Sequence, residues 1–199
     1  MRELRTVTGS VAVLDRPDVD TDQIIPKQFL KRIERTGYGE FLFFDWMKDD
    51  SFELRRPEAA GAQILVAGRN FGCGSSREHA AWALEDYGFR VVLAPSFGDI
   101  FRTNAIKTGL APVAVPAGEL ERLRAALDRR NELTVDLEDL SISHPDGLRI
   151  AFEFDAHDRE TLLHGLDDIA RTLHREEAIT RFEAAHAPRV DTLALTGVS

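Results

Sequence analysis

The chain has 199 residues, which is enough for one domain with a substantial core. Its formal net charge of −9 at pH 7 argues against nucleic acid or an anionic membrane surface as a partner, and its single cysteine excludes a disulfide framework or an iron–sulfur site built from its own thiolates. No apolar run approaches the ~20 residues of a membrane span and the first residues lack a signal-peptide pattern, so we expect a cytoplasmic protein.

Seven segments show the alternating or continuous apolar pattern that predicts strands. In chain order they are residues 7–14, 63–67, 90–94, 111–115, 133–137, 141–143 and 148–154. The last two are separated by residues 144–147, HPDG, which are typical of a hairpin turn.

Seven other segments have helical spacing or a proline that can open a helix. They are residues 26–35, 40–48, 76–87, 97–107, 120–130, 158–173 and 176–187. In the second of these, Phe41, Phe44 and Met47 are predicted to face the core. Gly88 and Gly109 stand where glycines that end helices belong.

The middle of the chain has the organisation of an α/β protein. A strand over 63–67, a helix over 76–87 and a strand over 90–94 form a unit that favours a parallel, right-handed crossover. With the later hairpin, this unit predicts a mixed sheet with flanking helices.

We find no repeat and no linker, so we predict a single domain over residues 1–199. Its core is expected to end near residue 155, its C-terminal helices near residue 187, and residues 188–199 are expected to form a loose tail. The polar stretch 49–61 is predicted to be a surface connection.

The loop over residues 68–79 has the sequence GRNFGCGSSREH, in which the glycines allow a tight bend and a close approach of a ligand to the backbone. Ser75 or Ser76 can cap the following helix, whose N-terminus attracts small anions. Arg77, one or two residues into that helix, adds a bidentate fork for a carboxylate. The alternative for Arg77 is a surface arginine in the first turn, where a cation without a bound anion is unfavourable.

Four separated motifs resemble one known family. Residues 72–80, GCGSSREHA, resemble the serine–arginine loop of the swivelling domain of the aconitase superfamily. The other three resemble the entry motif, second loop and C-terminal helix of its free-standing small subunits, above all those of bacterial isopropylmalate isomerases. They are DTDQIIP at 20–26, APSFGDIFRTN at 94–104 and GLDDI at 165–169. The resemblance covers the chain to about residue 185 and implies the swivelling β/β/α fold.

The resemblance also implies an activity. It is that of a hydro-lyase subunit, which isomerises 2- and 3-isopropylmalate by dehydration and rehydration in leucine biosynthesis. Because the superfamily's cluster needs three cysteines and this chain has one, the resemblance implies a [4Fe-4S] cluster on a separate large subunit and no cofactor on this chain. The active form would be a heterodimer of the two. A methylmalate/citraconate or homoaconitate hydratase subunit is the alternative with the same chemistry.

The resemblance implies that Ser75 is the general base, which moves a proton between neighbouring carbons of the substrate, and that Ser76 and Arg77 bind substrate. Serine is a poor base at neutral pH, so its alkoxide must be stabilised by the helix N-terminus, the loop N–H groups and Arg77. The competing interpretation makes Ser75 only a helix cap, with Glu78 completing a capping box. Ser76 can instead be the cap and leave Ser75 free.

Residues 27–35 carry four cations on an otherwise acidic chain. The resemblance places this segment at the mouth of the shared active site, where Lys31 and Arg32 are candidates for contact with the substrate. The alternatives are a solvated helix face and pairing with the upstream acids Asp18, Asp20 and Asp22.

Four residues near the serine–arginine loop are predicted to be structural. Cys73 lacks the sequence context of a nucleophile and is expected to be a packing residue. His79 is expected to be a structural hydrogen-bonding residue, and Arg102 and Asn104 are expected to brace the loop.

Two functions of other classes compete with the enzyme. The glycines at 68, 72 and 74 could belong to a dinucleotide-binding loop, but the next strand ends in Ala-Pro-Ser and not in the acid that would bind a ribose. A non-catalytic module that binds anions for regulation stays open.

Overall fold

The computed structural model of the chain describes residues 1–31, 36–166, 168–173 and 175–186. By compactness the chain divides into two units, Met1–Gly165 and Leu166–Ser199. The single domain predicted over the whole chain stays a prediction, and the predicted tail 188–199 lies outside the described residues.

The first unit contains a four-stranded parallel sheet, which confirms the predicted parallel crossover. Its strands are hydrogen-bonded in the order β2-β3-β4-β5. They are β2 (Val11–Leu14), β3 (Ile64–Ala67), β4 (Val91–Ala94) and β5 (Ala111–Ala114). Every residue of β3 and β4 is buried, as is typical of central strands that are covered on both faces.

A second sheet is antiparallel, with the order β1-β6-β7-β8. Its strands are β1 (Thr6–Gly9), β6 (Leu133–Asp136), β7 (Ser141–Ser143) and β8 (Arg149–Ala151). The predicted hairpin is confirmed by the antiparallel pairing of β7 with β8. The two sheets with their helices give the α/β fold that the sequence predicts.

The single strand predicted over 7–14 is wrong, because the chain changes sheets at Ser10. Before it, β1 pairs with β6, and after it, β2 pairs with β3. The carbonyl of Ser10 accepts from the N–H groups of Gln63 and Ile64 at 3.2 and 3.4 Å, which marks the start of the second pairing. The alternating pattern runs through this point and gives no sign of the break.

The parallel sheet separates two core clusters. Leu65 and Ala67 of β3 belong to one cluster, and Ile64 and Val66 belong to the other. The first cluster contains the buried alanines of the helix that follows β3, and the second contains the inward-facing residues of the antiparallel sheet. The strands of the parallel sheet are therefore covered on both faces.

The first unit has five α-helices within its described residues: α1 (Thr21–Ile24), α2 (Glu78–Tyr87), α3 (Asp99–Thr108), α4 (Ala117–Leu127) and α5 (Ala156–His164). Gly88 and Gly109 end α2 and α3 with φ of 122° and 90°, as predicted. None of the described helices is both long and apolar enough to cross a membrane.

The continuous helix predicted over 158–173 is wrong. Gly165 adopts a left-handed conformation with φ of 61° and ends α5. The second unit then contains α6 (Asp168–Leu173) and α7 (Glu176–Ala185). Ile169 and Leu173, which continued the apolar spacing, are 72% and 58% exposed.

The amphipathic helix predicted over 40–48 is also wrong. The chain forms two 3₁₀ turns, Gly39–Phe41 and Trp46–Lys48, and the buried side chains between them include Phe43. Phe43 has φ of 48°, which a right-handed α-helix does not permit, and its ring packs at 5.8 Å from that of Phe52. Tertiary aromatic packing therefore overrides the helical spacing.

The stretch 49–61 is more than the surface connection that its polarity predicts. It forms the 3₁₀ turns Glu53–Arg55 and Pro57–Ala59, and it buries Phe52 and Leu54. Both turns contact β2, the edge strand of the parallel sheet. The stretch therefore shields that edge from pairing with another chain.

Candidate active site

The serine–arginine loop joins the carboxyl end of β3 to α2, at the edge of a parallel sheet where ligands usually bind. The loop that follows β4 lies beside it. Phe71 donates its N–H to the carbonyl of Ser96 at 3.0 Å, and Gly98 donates to the carbonyl of Phe71 at 2.9 Å. The two loops are therefore joined by backbone hydrogen bonds.

Gly72 allows an unusually close approach between this loop and α3. Its φ is 73°, and a Cβ built there would lie 2.2 Å from the ring of Phe101. Phe101 is buried, and its ring also packs on that of Phe71 at 5.3 Å. The loop therefore rests directly on an aromatic side chain of the next helix.

The predicted bracing by Arg102 is wrong, and the predicted bracing by Asn104 stays a prediction. Arg102 donates to Asp158 at 3.4 Å, in α5 and not in the serine–arginine loop. Asn104 is buried, and its Nδ2 has no hydrogen-bond partner within the described residues. The motif at 94–104 does brace the loop, but it does so through Ser96 and Phe101.

A second brace comes from α1, a helix that the sequence analysis missed. Asp20 and Gln23 form a reciprocal capping box at its N-terminus. The next residue, Thr21, donates its N–H to the carbonyl of Cys73 and its hydroxyl to the carbonyl of Ser75, both at 2.9 Å. The motif at 20–26 is therefore hydrogen-bonded to the serine–arginine loop, although Thr21 and Ser75 are 54 residues apart in sequence.

Neither serine caps the helix. The N-cap residue of α2 is Arg77, with φ of −145° and ψ of 102° and no side-chain cap, so the predicted cap and the capping box with Glu78 are wrong. Ser75 and Ser76 are exposed. The Ser75 hydroxyl makes no hydrogen bond to any residue that the structure describes, which leaves it available to a ligand.

Arg77 is held by an acid. Its side chain is only 13% exposed, and its Nη1 and Nη2 donate to the two carboxylate oxygens of Asp22, the second pair at 2.8 Å. The hydrogen bonds from Arg77 hold the pKa of Asp22 below its ordinary value. This carboxylate offsets the unfavourable position of a cation at a helix N-terminus.

Within the described residues, the upstream acids have other main partners than the cations of residues 27–35, the basic segment. Asp18 accepts from Arg69 at 3.0 Å and from Asn70 at 2.9 Å, both in the serine–arginine loop. Asp20 is the N-cap of α1. Asp22 is paired with Arg77, although a backbone hydrogen bond and the charge of Lys27 also lower its pKa.

The basic segment begins in a 3₁₀ turn, Lys27–Lys31, whose last residue is exposed. The ring of Phe29 in this turn stacks on that of Phe41 at 4.2 Å, which ties the segment to the aromatic stretch after it. Arg32, the other candidate for contact with substrate, lies outside the described residues.

Beyond the basic segment, the chain is anchored to α2. Tyr38 is completely buried, and its ring lies 5.2 Å from that of His79 and 5.7 Å from that of Trp82. Partial burial lowers the pKa of His79, and the charge of Arg77 acts in the same direction. His79 therefore packs on aromatic rings, and it makes no side-chain hydrogen bond to the part of the chain that the structure describes, contrary to the prediction.

Cys73 has the surroundings of a packing residue. Its Sγ lies 3.4 Å from the carbonyl oxygen of Asp18. Partial burial, together with the charges of Asp20 and Asp18, raises the pKa of the thiol, which disfavours the thiolate that a nucleophile or a metal ligand needs. Within the described residues, no group of three or more His, Cys, Asp or Glu side chains could hold a metal ion.

The sequence did not indicate that Thr21 and Asp22 hold the serine–arginine loop and Arg77 in place. The motif at 20–26 resembled the family's entry motif, but its role as a brace depends on contacts with residues more than 50 positions away. The only local signal was the acid of the capping box three residues before Gln23.

Comparison with known proteins gives one consistent result. The family described as "Aconitase C-terminal domain" matches residues 1–118. The 3-isopropylmalate dehydratase small subunit of Halalkalibacterium halodurans is 54% identical over 192 residues, which cover 93% of this chain and 99% of the relative. The subunit of the same name from Bacillus subtilis is 52% identical over 191 residues, which cover 92% and 96%.

A solved structure agrees with these relatives. The crystal structure of 3-isopropylmalate dehydratase from Methanocaldococcus jannaschii matches with a TM-score of 0.67 and 28% sequence identity, over 88% of this chain and 98% of that one. The resemblance found in the four motifs and the predicted fold class are thereby confirmed. The chain belongs to the aconitase C-terminal domain family, among the small subunits of 3-isopropylmalate dehydratase.

Proposed function

We propose that this chain acts with a large subunit to interconvert 2- and 3-isopropylmalate by dehydration and rehydration, in leucine biosynthesis. The observation that carries the proposal is the exposed Ser75 hydroxyl, two residues from the arginine fork of Arg77, at the carboxyl edge of the parallel sheet. Relatives that are 52–55% identical over 92–93% of this chain are named small subunits of 3-isopropylmalate dehydratase, which supports the proposal.

In this proposal Ser75 is the general base. In the dehydration it removes a proton from the carbon next to a substrate carboxylate, while the hydroxyl leaves the neighbouring carbon and a double bond forms between the two. In the rehydration it returns a proton to that neighbouring carbon, and hydroxide adds to the first carbon. The hydroxyl is free to do so because it caps no helix. The charge of Arg77 and the backbone N–H groups of the glycine-rich loop would stabilise the alkoxide.

The substrate's carboxylates need positive charge on a chain whose net charge is −9. We assign this role to Arg77, with Ser76, Lys31 and Arg32 as further contacts. The Lys31 side chain is exposed at the end of a turn that Phe29 attaches to the aromatic stretch. Arg77 offers the planar, bidentate geometry that suits a carboxylate.

A single cysteine with a raised thiol pKa does not fit an iron–sulfur cluster that is held by this chain alone. We infer that a [4Fe-4S] cluster belongs to the large subunit and that the two chains form a cytoplasmic heterodimer. The purified small subunit should therefore be inactive alone.

The test combines this chain with the large subunit encoded in the same genome. The mixture should convert 2-isopropylmalate faster than methylmalate or homoaconitate, while each chain alone should not. Ser75→Ala should co-purify with the large subunit but lose at least ~100-fold in kcat. Ser51→Ala is the matched control, because its hydroxyl bonds, within the described residues, only to the nearby Asp49. Full activity of Ser75→Ala, or turnover by the lone chain, would overturn the proposal.

A further inference from the structure

We propose that Asp22 is a positioning residue for Arg77: its carboxylate fixes the arginine's guanidinium in the orientation that receives a substrate carboxylate. This inference rests on the proposed function, in which Arg77 binds substrate. Asp22 would thus be a negatively charged residue that contributes to a site for a negatively charged substrate.

The geometry of the pair leaves one edge of the arginine available. Asp22 occupies the edge formed by Nη1 and Nη2, and the carbonyl of Ile25 accepts from Nη1 at 3.5 Å. Nε makes no hydrogen bond to a residue that the structure describes. A guanidinium can bind two carboxylates at once, one on each edge, so the pair with Asp22 and a contact with substrate are compatible.

Asp22 is itself fixed by its surroundings. It lies in α1, whose N-terminus is closed by the Asp20 capping box and whose Thr21 is bonded twice to the serine–arginine loop. The positive charge of Lys27 also favours its ionised form. Ile24 and Ile25 anchor the other end of α1, since both are completely buried. The carboxylate is therefore a rigid support, while it stays 52% exposed at the site.

The sign of the effect distinguishes positioning from simple repulsion. A carboxylate beside an anion site repels the substrate, so its removal alone should improve binding. A carboxylate that orients Arg77 has the opposite effect, since its removal frees the long side chain to adopt other rotamers and weakens the contact. The proposal therefore predicts weaker substrate binding after a change that makes the site less negative.

The first test uses the assembled enzyme. Asp22→Asn should raise KM for isopropylmalate about tenfold, and it should also lower kcat, because a mobile Arg77 stabilises the Ser75 alkoxide less well. Asp139→Asn is the control with the same charge change, because it breaks an Arg–Asp pair with Arg149 on the antiparallel sheet. Arg77→Lys should also raise KM, and Asp22→Asn should add little when combined with it, because both act through one contact. A KM for Asp22→Asn equal to that of Asp139→Asn, or additive effects in the double variant, would overturn the proposal.

A second test needs no turnover and separates this inference from the proposed function. In ¹⁵N-labelled small subunit, a guanidinium held on both Nη atoms rotates slowly, so Arg77 should give resolved Nη signals in NMR spectra. In Asp22→Asn the guanidinium should rotate faster, so the two Nη signals should merge into one averaged signal. Both signals should persist in Asp139→Asn and disappear in Arg77→Lys. Unchanged Arg77 signals in Asp22→Asn would reject the positioning role. An inactive wild-type complex with the expected NMR result would instead reject the assigned reaction and leave the positioning of Arg77 supported.

Discussion

Thr21 donates its hydroxyl to the backbone carbonyl of Ser75 at 2.9 Å, and it is itself only 2% exposed. The bond joins a four-residue helix near the start of the chain to the proposed catalytic serine. Because the Thr21 N–H also bonds to the carbonyl of Cys73, this one residue holds the loop at two backbone carbonyls. The position of Ser75 therefore depends on α1 as much as on the strand and helix that flank it.

Removal of the Thr21 hydroxyl should loosen the loop. Thr21→Val keeps the shape but leaves the Ser75 carbonyl without its donor, which should cost about 1–3 kcal/mol in the free energy of unfolding. The same change should lower kcat of the assembled enzyme, while Thr21→Ser should preserve both. Urea denaturation and steady-state kinetics measure the two effects. Equal stability of the valine and serine variants would show that the bond does not hold the loop.

Two glycines of nearly equal φ allow strain to be separated from crowding. Gly61 has φ of 70° with nothing within 4 Å of a built Cβ, whereas Gly72 has φ of 73° with the Phe101 ring at 2.2 Å. Gly61→Ala should therefore cost only the backbone strain of about 1–2 kcal/mol. Gly72→Ala should cost a further ~1–3 kcal/mol for overpacking and should also lower activity. Thermal denaturation of the two variants tests this, and similar losses would contradict the close packing of the loop on Phe101.

The sequence predicted the parts of the fold that depend on local patterns. The buried runs of β3 and β4, the glycines after α2 and α3, and the hairpin at 144–147 all follow from neighbouring residues. The errors lie where distant contacts decide. Phe43 leaves the helical conformation to pack on residues of another turn, and Ser10 separates two strands because their partners differ.

The candidate site shows the same division. Ser75 and Arg77 could be singled out from a short motif, because a glycine-rich loop with a serine pair and an arginine suits an anion. The partner of Arg77 could not be identified in this way. Asp22 is 55 residues away, and the nearby Lys27 and Lys31 were equally good partners for it until the fold was known. The start of α2 was also predicted wrongly, because the N-cap is Arg77 and the capping preference of serine favoured Ser75 or Ser76.

Gly39 is predicted to set the position of the chain where it leaves the basic segment. A Cβ built there would lie 2.7 Å from the backbone nitrogen of Tyr87 and 2.8 Å from the carbonyl carbon of Asp86, and backbone cannot yield as a side chain can. Gly39→Ala should therefore destabilise the chain by ~1–3 kcal/mol and raise KM for isopropylmalate. Gly118→Ala in α4 meets nothing within 4 Å and should be neutral or slightly stabilising. Chemical denaturation and steady-state kinetics of both variants test this prediction. An unchanged KM for Gly39→Ala would show that the contact of Gly39 with α2 does not affect substrate binding.

His79 should make stability depend on pH below neutrality. Burial lowers its pKa in the folded chain, the charge of Arg77 adds to this, and the charge of Glu78 acts against it. The unfolded chain therefore binds a proton at higher pH than the folded chain does. The contribution to stability is fully present above the ordinary histidine pKa of about 6.5 and is lost as the pH falls towards the lower folded value.

The measurement is urea denaturation between pH 7.5 and 5. His79→Phe keeps an aromatic ring against Tyr38 and Trp82 but cannot titrate, so its stability should fall less over this range than that of the wild type. His164→Asn, at an exposed position, is the control and should follow the wild type. If His79→Phe lost as much stability as the wild type, another group would have to account for the proton uptake. The aromatic contact that anchors the chain beyond the basic segment would then be insensitive to pH.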